Sequence, residues 1–110
     1  MELTWDDFKK VDMRVGTILE ATVFPEARNA AYKLLIDFGP LGIKKSSAQI
    51  TSRYSSNELT GKQVIAVVNF PAKQIGTFMS SCLVLGVVGN DNEVVLLKPE
   101  QHAQNGDRVL

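Results

Sequence analysis

The sequence predicts an all-β protein closed into a small barrel, and three observations carry that expectation. Two apolar runs, Val64 to Val68 and Leu83 to Val88, contain no charge, are rich in valine and are separated by turn formers beginning at Pro71, so both are read as buried core strands. A third segment, Lys33 to Phe38, alternates, with Leu34, Ile36 and Phe38 on one face and Lys33, Leu35 and Asp37 on the other. Turn signals at Phe24-Pro25-Glu26, Gly39-Pro40-Leu41-Gly42 and Thr60-Gly61 separate these runs at spacings too short for long helices.

Taken in order, the chain opens on a short helix near Trp5 to Phe8, with Thr4 as its N-cap and Asp7 three residues later in a capping-box role. Asp6 and Asp7 sit at the positive end of that helix dipole. Met13 to Val23 is a long strand in which Gly16 is expected to allow a bulge or sharp coil, so that one strand serves two sides of a barrel. Lys33 to Phe38 is the second strand and the more polar Ile43 to Ile50 the third. Ser52 to Leu59 holds a short helix, Val64 to Val68 and Leu83 to Val88 follow, and Val94 to Leu97 ends the strand series. Three strands, a helical connection and two further strands make the element order of an OB-fold, a five-stranded Greek-key barrel, here with short helices and terminal extensions.

At 110 residues, with 45% hydrophobic content, the chain is expected to form one domain over residues 1–110 with one core. Its N-terminus lacks the basic and apolar blocks of a signal peptide and no apolar run reaches a membrane span, so a cytoplasmic protein without membrane insertion is expected. Cys82 is the single cysteine, has no disulfide partner in the chain and lies within an apolar context, which makes it a small hydrophobe. Catalytic, metal and cofactor sites are not expected. His102 is alone, no Ser, Cys or carboxylate arrangement resembles a triad, and Gly39 and Gly42 are followed by Ile43 instead of the Lys and hydroxyl pair of a phosphate loop.

The net charge of zero conceals a segregation. Residues 28–73 hold seven basic side chains (Arg28, Lys33, Lys44, Lys45, Arg53, Lys62, Lys73) against two acidic ones (Asp37, Glu58), and both flanks are acidic. If the central segment shares one face, that face attracts phosphate or acidic peptide by local field; otherwise it is a solvated, mixed surface.

Within these elements, Val11-Asp12-Met13-Arg14-Val15-Gly16-Thr17-Ile18 resembles the opening of the tRNA-binding domain family. Phe24-Pro25-Glu26-Ala27-Arg28, Tyr32-Lys33-Leu34, Ile36-Asp37-Phe38-Gly39, Ser46 to Thr51 and Val67-Val68-Asn69-Phe70-Pro71 are similar to the CsaA group of export-related chaperones within it. The resemblance implies an OB-fold homodimer without enzymatic chemistry. Its implied partners are unfolded or preprotein peptide segments and the export machinery, on a scaffold that elsewhere in the family binds tRNA. Homodimerisation is also expected from Leu3, Trp5, Phe8, Val109 and Leu110, an apolar set that one small barrel does not obviously bury.

The candidate binding groups follow from barrel geometry. Lys45, Ser46, Ser47 and Gln49 lie on or near the third strand, while Asn69, Phe70, Lys73 and Gln74 follow the fourth, and Ser80 completes a polar rim. For a nucleic acid, the lysines would contact phosphates, Phe70 would stack on a base, and Asn69, Gln49 and the serines would read exposed edges. For a peptide, Phe70, Ile75, Phe78 and Met79 would form an apolar pocket while Asn69, Gln49 and Gln74 hydrogen-bond its backbone. Both ligand classes stay open on the sequence.

Overall fold

The computed structural model describes residues 1–110. A five-stranded antiparallel sheet forms a nearly closed barrel from β1 (Met13–Val23), β2 (Tyr32–Asp37), β3 (Ile43–Ala48), β4 (Gln63–Val67) and, past two further short strands, β7 (Leu83–Val84), in the order β3-β2-β1-β4-β7. The two free edges approach each other through Ser46 Oγ, which donates to the Cys82 carbonyl at 2.9 Å, and Ser81 N–H, which donates to the Lys45 carbonyl at 2.8 Å. This is the OB-fold connectivity expected from the element order, with β4 returning beside β1.

β1 spans both sides of the barrel because its first half pairs with β4 and its second half with β2. The bulge falls at Leu19, three residues beyond the expected Gly16, since Ile18 and Glu20 face the successive residues Ile36 and Leu35. That single extra residue reverses the alternation: Ile18 and Ala21 point to the core, and the charged Glu20 is kept outside. Gly16 serves another purpose. A Cβ there would lie 2.6 Å from Ile36 Cγ2 and 2.7 Å from a Phe38 ring carbon, so its missing side chain lets the second strand pack against the first.

The interior is filled by Ile18, Leu34, Ile36, Val64 and Ala66 from the strands and by Phe38 just past the end of β2, with Leu59 of α2 (Ser56–Leu59) as a plug. Ser55 and Glu58 form a complete capping box on α2. At α1 (Trp5–Lys9) only half of the expected box is made: Asp7 N–H donates to Thr4 Oγ1 at 3.1 Å, while the Asp7 carboxylate turns to Lys10. The edge of β1 that β2 leaves uncovered is paired by the tail, through Val15 N–H to the Asp107 carbonyl and Val109 N–H to the Met13 carbonyl, both at 2.9 Å. Asp12 locks this corner. It accepts from Arg14 Nε at 2.6 Å and lies 3.8 Å from Arg108 Nε, and the Arg14 bond holds its carboxyl below the usual carboxylate range.

Two expectations need correction. Leu83 to Val88 is not one buried strand: Leu83–Val84 pairs with β4, and Gly86–Val88 (β8) leaves the barrel to pair with Val94–Leu96 (β9). Val87 and Val88 are consequently 57% and 64% exposed. An apolar run of this length suits a core strand and a projecting hairpin equally, and the chain turns out of the barrel at Leu85. The segment between the two apolar runs is likewise no simple loop, because β5 (Lys73–Ile75) and β6 (Phe78–Ser80) form a hairpin over the barrel wall.

Gly16→Ala is expected to destabilise the fold by about 1–3 kcal/mol, the range for overpacking a filled core. Urea unfolding of the variant measures it. An unchanged midpoint would show that Ile36 and Phe38 yield freely and that the close approach is not a constraint.

Candidate functional site

The outward rows of β1, β2 and β3 are fixed by register, with Thr22, Lys33 and Ser47 aligned in one row and Glu20, Leu35 and Lys45 in the next. The β5–β6 hairpin lies across this face, where Ser47 N–H donates to Ser80 Oγ at 3.2 Å. Within the hairpin, Lys73 opposes Ser80 and Ile75 opposes Phe78, so these four share one face, whereas Gln74 and Met79 share the other.

Phe78 is half-buried and meets the buried Phe24 edge to face, with centroids 5.3 Å apart. Two ammonium groups approach its ring, Lys33 Nζ at 5.8 Å and Lys45 Nζ at 5.9 Å from the centroid. Lys33 Nζ also lies 4.9 Å from the Phe24 centroid and 3.4 Å from Glu26 Oε2. A recess of about 160 Å³ opens here among Glu20, Thr22, Lys33, Leu35 and Phe78.

A second recess, of about 250 Å³, is lined by Phe70, Pro71, Lys73, Ser80, Ser81, Cys82 and Leu83. Phe70 is 56% exposed, so it belongs to the surface and not to the core. Cys82 is buried beside it, and desolvation pushes its thiol up to about 11, which keeps it a protonated, weakly nucleophilic wall. Ser80 touches both parts: it holds Ser47 on one side and lines the Phe70 recess on the other. The two recesses share no lining residue; they lie on either side of the Ser47–Ser80 hydrogen bond and together make up the candidate groove, with Lys33 and Lys45 at the Phe78 ring and Lys73 in the Phe70 recess.

Several expected site residues are placed elsewhere. Ser46 is buried, its hydroxyl spent on the Cys82 carbonyl as part of barrel closure. Asn69 does not present its amide to a ligand: Oδ1 accepts from Asp12 N–H at 3.1 Å and Nδ2 donates to the Lys10 carbonyl at 2.6 Å. It clamps the segment after α1 to the exit of β4 and so fixes the chain immediately before Phe70. Gln74 donates to the Gly76 carbonyl at 3.0 Å and steadies the hairpin turn. Met79 lies on the face opposite Ile75 and Phe78, so the expected four-residue pocket of Phe70, Ile75, Phe78 and Met79 does not assemble. Gln49 is exposed beyond the end of β3.

The basic segment does not share one face. Lys33, Lys45 and Lys73 border the groove, Lys44 stands opposite Ile36 on the other side of the sheet, Arg53 pairs with Glu93 at 3.1 Å, and Lys62 lies against Tyr54. Sequence reasoning left Lys33 and Leu35 out of the groove, although the alternation of β2 had already set them on its outward face.

Residues 13–108 match the family described as "Putative tRNA binding domain". The chain superposes on the crystal structure of the chaperone CsaA from Bacillus anthracis strain Ames with a TM-score of 0.94 and 47% identity, covering 100% of both chains. The CsaA chaperone protein from Picrophilus torridus gives 0.92 and 50%, over 99% of this chain and 100% of that one. Among curated sequences, a methionine–tRNA ligase from Francisella tularensis is 37% identical over 108 residues, 98% of this chain. The chain spans only 16% of that ligase.

Proposed function

The chain belongs to the tRNA-binding domain family and, within it, to the group that contains the CsaA chaperones, and from that premise we propose that it holds unfolded or preprotein peptide segments during protein export. In this reading it is a binding protein without catalytic or cofactor chemistry, acting in the cytoplasm. The observation that carries the peptide reading is the open edge of β5 beside the Phe70 recess. β5 pairs only with β6, so its outer backbone groups are available to an extended chain, while Phe70, Pro71 and Leu83 offer an apolar seat for one side chain.

A second reading, tRNA binding, is supported by a different observation: two lysine ammonium groups lie 5.8 and 5.9 Å from the Phe78 ring centroid, and Lys73 lines the same recess as Phe70. Aromatic faces with adjacent ammonium groups suit stacked bases and their phosphates.

Assembly as a homodimer is proposed from the terminal face. Leu3, Trp5, Phe8 and Leu110 line a recess of about 370 Å³, and Trp5 is 77% exposed. A two-fold interface there would cover this surface and place two grooves on one particle, raising avidity for a long ligand. Sedimentation at micromolar concentration is expected to give a dimer, and a monomer would contradict the proposal.

Phe70→Ala is expected to weaken binding of an unfolded peptide by about 1–3 kcal/mol, the scale for an aromatic anchor on a surface. Its melting temperature should stay close to that of the parent, because the ring is more than half exposed. Competition between a labelled neutral peptide and tRNA at two salt concentrations separates the readings, since phosphate contacts fade steeply with salt and apolar burial does not. Peptide binding that survives high salt and falls in the variant supports the chaperone reading; binding confined to tRNA would replace it.

A further inference from the structure

A cavity of about 600 Å³ shares no lining residue with either recess of the groove. It lies between the turn after α2 (Gly61, Lys62), Gln63 at the start of β4, Tyr54 and the stretch leading to His102. Its walls are tied together by hydrogen bonds within the chain. Gln63 Nε2 donates to the Ala103 carbonyl at 2.6 Å, and Gln63 Oε1 accepts from Ala103 N–H at 3.0 Å. Tyr54 Oη accepts from Leu96 N–H at 3.0 Å, and the Tyr54 carbonyl accepts from Tyr32 Oη at 2.8 Å. The cleft is therefore preformed, which lowers the ordering cost of binding.

Three basic side chains line it, Lys62, Lys98 and His102, against the single carboxylate of Glu100. Neither lysine is in an ion pair; the five ion pairs of the molecule all involve other residues. Lys62 Nζ lies 5.6 Å from the Tyr54 ring centroid, so this ammonium rests against the cleft wall. In a chain of zero net charge, two ammonium groups outside any ion pair, set against one carboxylate, leave this concavity with an excess of positive charge.

We propose that this cleft is a phosphate-binding site. Two ammonium groups match a multiply charged phosphate better than a lone carboxylate, and the volume leaves room for an attached nucleoside against Tyr54. The phosphate belongs either to a free nucleotide or to a polynucleotide backbone. The site stands independently of the groove.

The test titrates the isotope-labelled full chain with inorganic phosphate and with AMP, following amide resonances by NMR. Saturable shifts are expected at Gly61, Lys62, Gln101 and His102, and the double variant Lys62→Ala, Lys98→Ala should bind both probes at least about tenfold more weakly, as expected when charge-assisted contacts are removed. Its melting temperature and its peptide binding should match the parent, and peptide binding by Phe70→Ala, read in parallel, reports on the groove alone. A short single-stranded RNA at two salt concentrations separates the sources. A shallower salt slope in the double variant assigns the site to a polynucleotide backbone, and an unchanged slope assigns it to a free nucleotide. Absence of saturable shifts with both probes, or equal affinity in the double variant, overturns the proposal.

Discussion

The contact on which the rest of the structure depends is the approach of Ile36 and Phe38 to the bare backbone of Gly16. It brings the second strand against the first at the point where β1 changes partners from β4 to β2. From there the Leu19 bulge sets the outward rows, keeping Glu20 and Thr22 outside and returning Ala21 to the core. Lys33, Leu35, Lys45 and Ser47 take their outward positions from the same register. The groove is thus a consequence of how one strand bends, and its side chains stand on a sheet whose positions are fixed by the core beneath.

The segment most diagnostic of the family does structural work. Asp12 and Arg14 pair at 2.6 Å and, with Arg108, bind the two ends of the chain to β1, while Gly16 makes room for the core. The groups that face solvent in the groove come from other places: the outward faces of β2 and β3, the β5–β6 hairpin and the segment at Phe70. Asn69 connects the two sets. By binding Lys10 and Asp12 it transmits the position of the N-terminal segment to the chain just before Phe70, so the recess depends on a corner remote in sequence.

Where structure follows from local pattern, the sequence could be read directly. The alternation of Lys33 to Phe38 places the same residues in the core as the fold does, Met13 to Val23 has the bounds of β1, and the Thr4 cap is present. The position of Phe70 after the fourth strand was also legible, but whether its ring enters the core was not, and its exposure is decided by the fold. What escaped was non-local or degenerate. The partners of the Asn69 amide lie 57 and 59 residues away. The division of Leu83 to Val88 is decided by which strand each half pairs with, since valine serves a buried strand and an exposed hairpin alike. Charge count over residues 28–73 could not show that the third strand sends Lys44 and Lys45 to opposite sides.

The central claim is that one face, running from Phe78 past Ser80 to Phe70, receives the extended ligand. Photo-crosslinking tests it most directly, with an unfolded peptide carrying a benzophenone side chain and mass-spectrometric mapping of the attached residues. The account predicts attachment at Phe70 to Lys73, at Phe78 to Ser80 and on the outward residues of β2 and β3. Attachment concentrated at Trp5 and Leu110, or at the exposed Val87 and Val88, would contradict it.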